Sequence, residues 1–233
     1  MESCFETKKL FLSLVVKNKI DKIRKLVKNK FINKEGSHDW FHIDRVCNLA
    51  IYLHEKEGGD KIIIELAALL HDISDHKYNG GDWQAGSRTA KEIMNEVGIS
   101  PEISEKVAHV ISQVSFKGAY VKDDVESIEA KIVQDADRLD AIGAIGIARA
   151  FAYGGSKNRP LYQPEIDPTL HASKEEYSKS VSHTVNHFYE KLFLLKDLLK
   201  TETGKLLAEK RDQIMQKFIA DFYDEWFFSS SKK

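Results

Sequence analysis

The chain has little of what builds a disulfide scaffold or a membrane span. Its two cysteines, Cys4 and Cys47, stand far apart without CxxC spacing. That excludes both a disulfide framework and a thiolate zinc knuckle. No run approaches the ~18 consecutive apolar residues of a transmembrane helix. The opening Met1-Glu2-Ser3-Cys4-Phe5-Glu6 also lacks the basic-then-apolar order of a secretory signal. Cytoplasm is the expected compartment, with no membrane partner. Charge of one sign is missing as well: 35 Lys and Arg against 36 Asp and Glu leave a formal net charge of −1. No broad basic field therefore points to constitutive nucleic-acid binding. The lysines of the N-terminal stretch are diluted by Glu2, Glu6 and Asp21, so it reads as an amphipathic packing helix rather than a membrane-surface one. Alternating strand patterns and internal repeats do not stand out.

What is present is helical periodicity. Apolar residues recur at three- and four-residue spacing over Leu10 to Phe31, Trp40 to Glu57, Ile62 to Ile73, Trp83 to Val97, Pro101 to Val114 and Val125 to Tyr153. Gly58-Gly59 and Gly98 fit helix stops, and Pro101 fits a first helical turn. Gly143 and Gly146 lie inside the last of these stretches, where they permit close helix–helix approach. Three of the four prolines, Pro160, Pro164 and Pro168, fall with Gly154 and Gly155 in a stretch without periodicity, 154–172. This reads as a connecting or substrate-closing loop. Two long helices are expected beyond it, over Ser173 to Lys200 and Thr203 to Phe228. The expectation is one all-α domain over 1–233, with its core in about 20–153 and a C-terminal helical pair in 173–228. The aromatic end Trp226-Phe227-Phe228 is expected to pack on the domain or on a second copy in a homodimer.

Three polar clusters interrupt these apolar helices. The helix over 62–70 runs straight into His71-Asp72-Ile73-Ser74-Asp75-His76-Lys77. Such groups are costly beside a core unless a metal, partner or substrate satisfies them. An imidazole nitrogen and a carboxylate suit divalent Mn, Fe, Co, Ni or Zn. Asp75 follows on the same helical face. Upstream stands Ser37-His38-Asp39-Trp40-Phe41-His42-Ile43-Asp44-Arg45, and downstream Gln134-Asp135-Ala136-Asp137-Arg138-Leu139-Asp140. A lone buried histidine or acidic run is usually structural; three such clusters, each abutting an apolar helix, are not so easily dismissed. Of the two His-Asp pairs, His71-Asp72 ends a packed helix and is the better-held ligand pair. His38 and Asp39 then face substrate or cap a helix.

The order His, then His-Asp, then Asp resembles the HD-domain superfamily of metal-dependent phosphohydrolases. The likeness covers roughly the first two thirds of the chain. The longer strings HDISDHKYNGGD and QDADRLDAIGAIGIAR are similar to small bacterial nucleotide hydrolases of that superfamily. The resemblance implies an HD-type helical bundle with a divalent metal ion (Mn, Co, Ni, Fe, Zn or Mg) held by His42, His71, Asp72 and Asp137. Beside Asp72 and His71, it gives Asp75 the general acid or base role. Lys77, Lys117, His38 and Arg45 are the candidates for the substrate's phosphates. Asp135 and Asp140 are expected to hydrogen bond or pair with Arg45 or Arg138 rather than ligate. His183 and His187 serve packing or substrate contact rather than a second metal. The reaction implied is cleavage of a nucleoside triphosphate to monophosphate and pyrophosphate. A nucleotidase or cyclic phosphodiesterase would use the same residues. A non-enzymatic helical sensor or scaffold is the reading from a different class.

Overall fold

The computed structural model describes residues 2–33, 39–74, 84–114, 125–169 and 182–228, with side chains from residue 14 onward. Among the described residues every regular element is helical. Helix α1 spans Glu2–Phe31, α2 Trp40–Glu57, α3 Lys61–Leu70, α4 Ala85–Val97, α5 Pro101–Val114, α6 Ile128–Asp140, α7 Gly143–Ser156 and α8 Glu202–Phe227. No helix among the described residues is long and apolar enough to cross a membrane.

Local chemistry sets most of the helix starts. Asp39 has extended backbone, and its carboxylate accepts from the His42 N–H at 2.8 Å, so it is the N-cap of α2. Asp60 accepts from the N–H groups of Ile62 and Ile63, Ser127 from Ala130, and Thr201 from Gly204. Each such cap satisfies a donor the helix cannot, contributing about 1 kcal/mol. Gly98 closes α4 in the left-handed conformation, φ 80°.

Helix α3 lies at the centre. Ile64, Leu66, Ala67, Ala68, Leu69 and Leu70 are all fully buried, because α2 covers one flank while α5, α6 and α1 cover others. A helix this apolar from Leu66 to Leu70 is stable only when enclosed in this way. Helices α2 and α6 pack on each other, and α7 packs on α8. This arrangement brings the C-terminal end of α3, the first turn of α2 and the last turn of α6 to one place.

Two expected helices take another form. The apolar periodicity of 125–153 is divided between α6 and α7 by a break at Ala141 and Ile142. Gly143 there has φ +76°, and a Cβ on it would sit 2.9 Å from Cγ of Arg211 on α8. A Cβ on Gly146 would lie 2.3 Å from the Ala141 carbonyl oxygen. The glycines thus serve a sharp reversal as well as close packing. The single helix expected over 173–200 is, in its described part, a turn followed by a π-helical turn, Phe188–Leu192, and a 3-10 stretch, Phe193–Leu198. The expected 203–228 helix is α8.

Candidate metal centre

Four side chains from three helices point to a common spot. His42 lies on the face of α2 that also buries Val46, Ala50 and Leu53, and it is 1% exposed. His71 follows the last residue of α3, where the packed helix fixes its position. Asp72 comes next in the chain, and Asp137 sits in the last turn of α6. The two Nε2 atoms are 3.3 Å apart. Asp72 Oδ2 is 3.4 Å from Nε2 of His42 and 3.5 Å from that of His71. Asp137 Oδ1 is 3.5 and 3.8 Å from the same two nitrogens.

The far nitrogens of the rings explain what this spot demands. His71 Nδ1 donates to the Ala68 carbonyl at 2.8 Å, and His42 Nδ1 donates to Asp140 Oδ2 at 2.8 Å. In the neutral form that a metal ion needs, each ring keeps its proton on Nδ1 and turns an Nε2 lone pair inward, toward the other ring and toward two carboxylate oxygens. Four acceptors converging this closely call for a cation. A divalent ion bonded at ~2.1 Å would set its ligands roughly 3.0 to 3.4 Å apart, close to the observed spacings. His42, His71 and Asp72 offer ligand atoms all within 4.8 Å of one another, so the donor set fits a divalent metal ion. Among the described residues no second such cluster occurs.

Asp140 anchors the arrangement. Besides the His42 ring it accepts from Arg45 Nε at 2.7 Å and Nη2 at 3.0 Å, and from Arg149 Nη1 at 2.7 Å. Burial opposes its charge, but the hydrogen bonds of His42 and Arg45 and the field of Arg149 hold its carboxyl well below the usual carboxylate range. Burial likewise opposes a charged His42, yet Asp140, Asp72 and Asp137 together raise its pKa to about 9. The structure thus gives Arg45 a two-bond grip on Asp140, with 35% of its side chain still exposed. Arg149, which also donates to the Asp140 carbonyl, is the residue sequence reasoning passed over. It closes the string QDADRLDAIGAIGIAR, but nine residues and a helix break separate it from Asp140, a spacing no helical repeat predicts.

The remaining candidates divide clearly. Asp135 is fully buried and turned away from the centre, to the backbone of Lys200 and Thr201. Asp39 caps α2. His183 donates through Nε2 to the Ile166 carbonyl and accepts the Asn186 N–H at Nδ1, a packing role. His38, Asp75, Lys77 and Lys117 lie outside the described residues.

A pH dependence follows from His42. Its pKa in the folded, metal-free chain is raised above the ordinary 6.5 to about 9. The stability it contributes is therefore complete below pH 6.5 and lost as pH rises through 9. The same proton competes with a metal at Nε2. Metal affinity should tighten by about tenfold per pH unit between pH 7 and 8.5 and level off above 9, while the metal-free chain loses stability over the same range. Calorimetric titration with Mn²⁺ in buffers of differing ionisation enthalpy checks both the trend and the released proton.

The comparisons with known proteins bear on this same segment. Residues 40–142 match the HD domain, a span that holds all four converging side chains. The Bacillus subtilis protein YpgQ is 38% identical over 204 residues, which is 85% of this chain and 89% of the relative. A crystal structure of an HD-superfamily hydrolase from Bacillus thuringiensis is 43% identical, with TM-score 0.70 over 91% of this chain and 98% of that one. A crystal structure of Bacillus subtilis YpgQ in complex with ADP is 34% identical, with TM-score 0.68 over 88% and 97%. A matching HD segment around the convergent histidines and acids, within likeness running through nearly the whole chain, makes this protein a member of the HD superfamily of hydrolases.

Proposed function

We propose that this hydrolase is a metal-dependent phosphohydrolase that cuts a nucleoside triphosphate to a monophosphate and pyrophosphate. The observation that carries the phosphohydrolase reading is the convergence of His42 and His71 Nε2 with the Asp72 and Asp137 carboxylates. The nucleotide is supported by likeness to YpgQ, whose structure is described in complex with ADP. A divalent cation held by those four residues would supply a water of lowered pKa and offset charge on a phosphoryl oxygen. Around it, Asp140 and the Ala68 carbonyl hold the two rings by their Nδ1 protons, so each Nε2 stays turned inward. Arg45 and Arg149 fix Asp140 in turn, and they place two cations beside a site that receives an anionic substrate. Asp75 moves the proton at the leaving or attacking oxygen, with Lys77 and Lys117 toward the phosphates. The Asp75 assignment rests on the sequence resemblance, those of Lys77 and Lys117 on their positive charge alone.

A nucleotidase or a cyclic phosphodiesterase would use the same centre, so the products discriminate. The metal-stripped chain, reloaded with Mn, Co, Ni or Mg, is presented with nucleoside triphosphates, monophosphates and cyclic phosphodiesters. The expected result is one pyrophosphate and one monophosphate per triphosphate consumed, and no orthophosphate. Orthophosphate from the triphosphate, or turnover of monophosphates alone, would replace this reading with the nucleotidase one. Membership in a hydrolase superfamily stands against the sensor or scaffold reading.

A further inference from the structure

We infer, on the metal-dependent reading above, that Arg149 is a positioning residue of the centre. From α7, through Asp140, it fixes the His42 ring and so sets how tightly the divalent ion is held.

The chain has to turn back on itself for this contact to exist. Asp140 ends α6, and Arg149 stands six residues, about 9 Å, into α7. Gly143 makes the reversal with φ +76°. A Cβ on Gly146 would lie 2.3 Å from the Ala141 carbonyl oxygen and 2.6 Å from its carbon, so the close return is open to glycine alone. Phe151 follows Arg149 by two residues and so lies on the opposite face. There it anchors α7 against Phe188, Phe218 and Phe222. The face that carries Arg149 is thereby turned to the end of α6.

Arg149 Nη1 donates to two acceptors of one residue, the Asp140 carbonyl at 3.0 Å and its Oδ2 at 2.7 Å. Bridging main chain and carboxylate in this way leaves the Asp140 side chain little rotational freedom. The same Oδ2 accepts from His42 Nδ1 at 2.8 Å, on the ring whose Nε2 faces the ion. Arg45 also holds Asp140, yet it lies on α2 three residues after His42 and moves with it. Arg149 comes from a helix that carries none of the four converging side chains, so it ties the carboxylate to the rest of the fold. The Asp140 side chain is 2% exposed and that of Arg149 20%. This shields the pair from the water and salt that make surface ion pairs weak. An outer partner of this kind keeps a ligating ring aimed, and its loss costs about 10- to 100-fold in metal affinity.

Charge alone predicts the opposite. A cation this near repels a divalent ion, so if Arg149 acted merely through its field, neutralising it would tighten metal binding. The sign of the change therefore separates the two roles.

The test titrates Mn²⁺ calorimetrically into the metal-stripped full chain, as wild type, Arg149→Gln, Arg149→Lys and Arg211→Gln. Arg211 donates to the Leu139 carbonyl and packs on Gly143. It sits at the same helix end without a bond to the Asp140 carboxylate, so its variant reports any general loosening of the reversal. Thermal unfolding verifies that each is folded. Arg149→Met keeps the apolar stem and carries the same expectation where Arg149→Gln fails to fold. Wild type should bind one Mn²⁺, Arg149→Gln at least about tenfold more weakly, and Arg211→Gln within about twofold of wild type. Arg149→Lys, which keeps a donor and the charge, should recover to within about threefold. The Mn²⁺ concentration for half-maximal hydrolysis should shift by the same factor as Kd. Unchanged or tighter Mn²⁺ binding in Arg149→Gln overturns the positioning role, as does equal weakening in Arg211→Gln. A wild type that binds no Mn²⁺ overturns both this role and the metal-dependent reading. A wild type that binds Mn²⁺ in the expected pattern but hydrolyses no phosphate ester refutes the proposed function alone.

Discussion

The expected result of Asp72→Ala is a folded chain that has lost metal-stimulated hydrolysis. The Asp72 side chain is 18% exposed and lies at the rim of the core, so its removal should cost at most about 1 kcal/mol of stability. Its Oδ2 nonetheless lies within 3.5 Å of both histidine Nε2 atoms, nearer to them than Asp137 Oδ1, which stands at 3.5 and 3.8 Å. We expect kcat/KM to fall by about 10³-fold or more, the scale of losing a group that stabilises charge in the transition state. Metal content by mass spectrometry should fall from near one ion per chain to background. His71→Ala should do the same and also unfold several degrees earlier, since its ring fills a buried position against Ala68. Asp75→Ala should provide the contrast, keeping its metal while losing rate. A variant Asp72→Ala that keeps both its metal and its rate would leave the convergent side chains without a catalytic role.

The sequence made parts of this legible for identifiable reasons. Helices α2 and α5 begin and end where their patterns place them, because Asp39, Gly58 and Pro101 punctuate the chain with unambiguous local chemistry. The division between α6 and α7 was hidden, since apolar residues continue in register across Ala141 and Ile142. Only the positive φ of Gly143 and the nearness of Arg211 impose the break. The segment 182–198 looked helical for a related reason: its apolar spacing is satisfied by a π turn and a 3-10 stretch as well as by an α-helix. In the centre, residue type and motif order pointed to His42, His71, Asp72 and Asp137. What they could not give was the orientation of the rings. That depends on a backbone carbonyl, Ala68, and on Asp140, whose partners Arg45 and Arg149 come from two different helices. Such contacts are tertiary, and no spacing along the chain encodes them.

Asp135 shows how far an acidic neighbour of the centre can stand from its chemistry, and Asp135→Ala should be the most destabilising of the aspartate changes outside the ligand set. Both its carboxylate oxygens accept the Lys200 N–H, at 2.9 and 3.0 Å, and Oδ2 takes the Thr201 N–H and hydroxyl at 2.7 Å each. Thr201 in turn caps α8 through Gly204. A Cβ on Gly204 would sit 2.6 Å from both Asp135 Oδ2 and Thr201 Oγ1, so this junction is closed to anything larger than glycine. One buried carboxylate therefore joins α6, which carries Asp137 and Asp140, to the start of the C-terminal helix. Burial raises the Asp135 pKa against the hydrogen bonds that lower it, so the net loss is smaller than four charge-assisted bonds would suggest. We expect about 3 kcal/mol, seen as a fall in Tm of roughly 6 to 12 °C. Asp135→Asn, which keeps one acceptor oxygen and the packing, should cost about half as much. Metal content and kcat at 25 °C should stay within about twofold in both, because Asp135 touches the helix junction and none of the four converging side chains. A large loss of metal with little change in Tm would instead make Asp135 part of the centre.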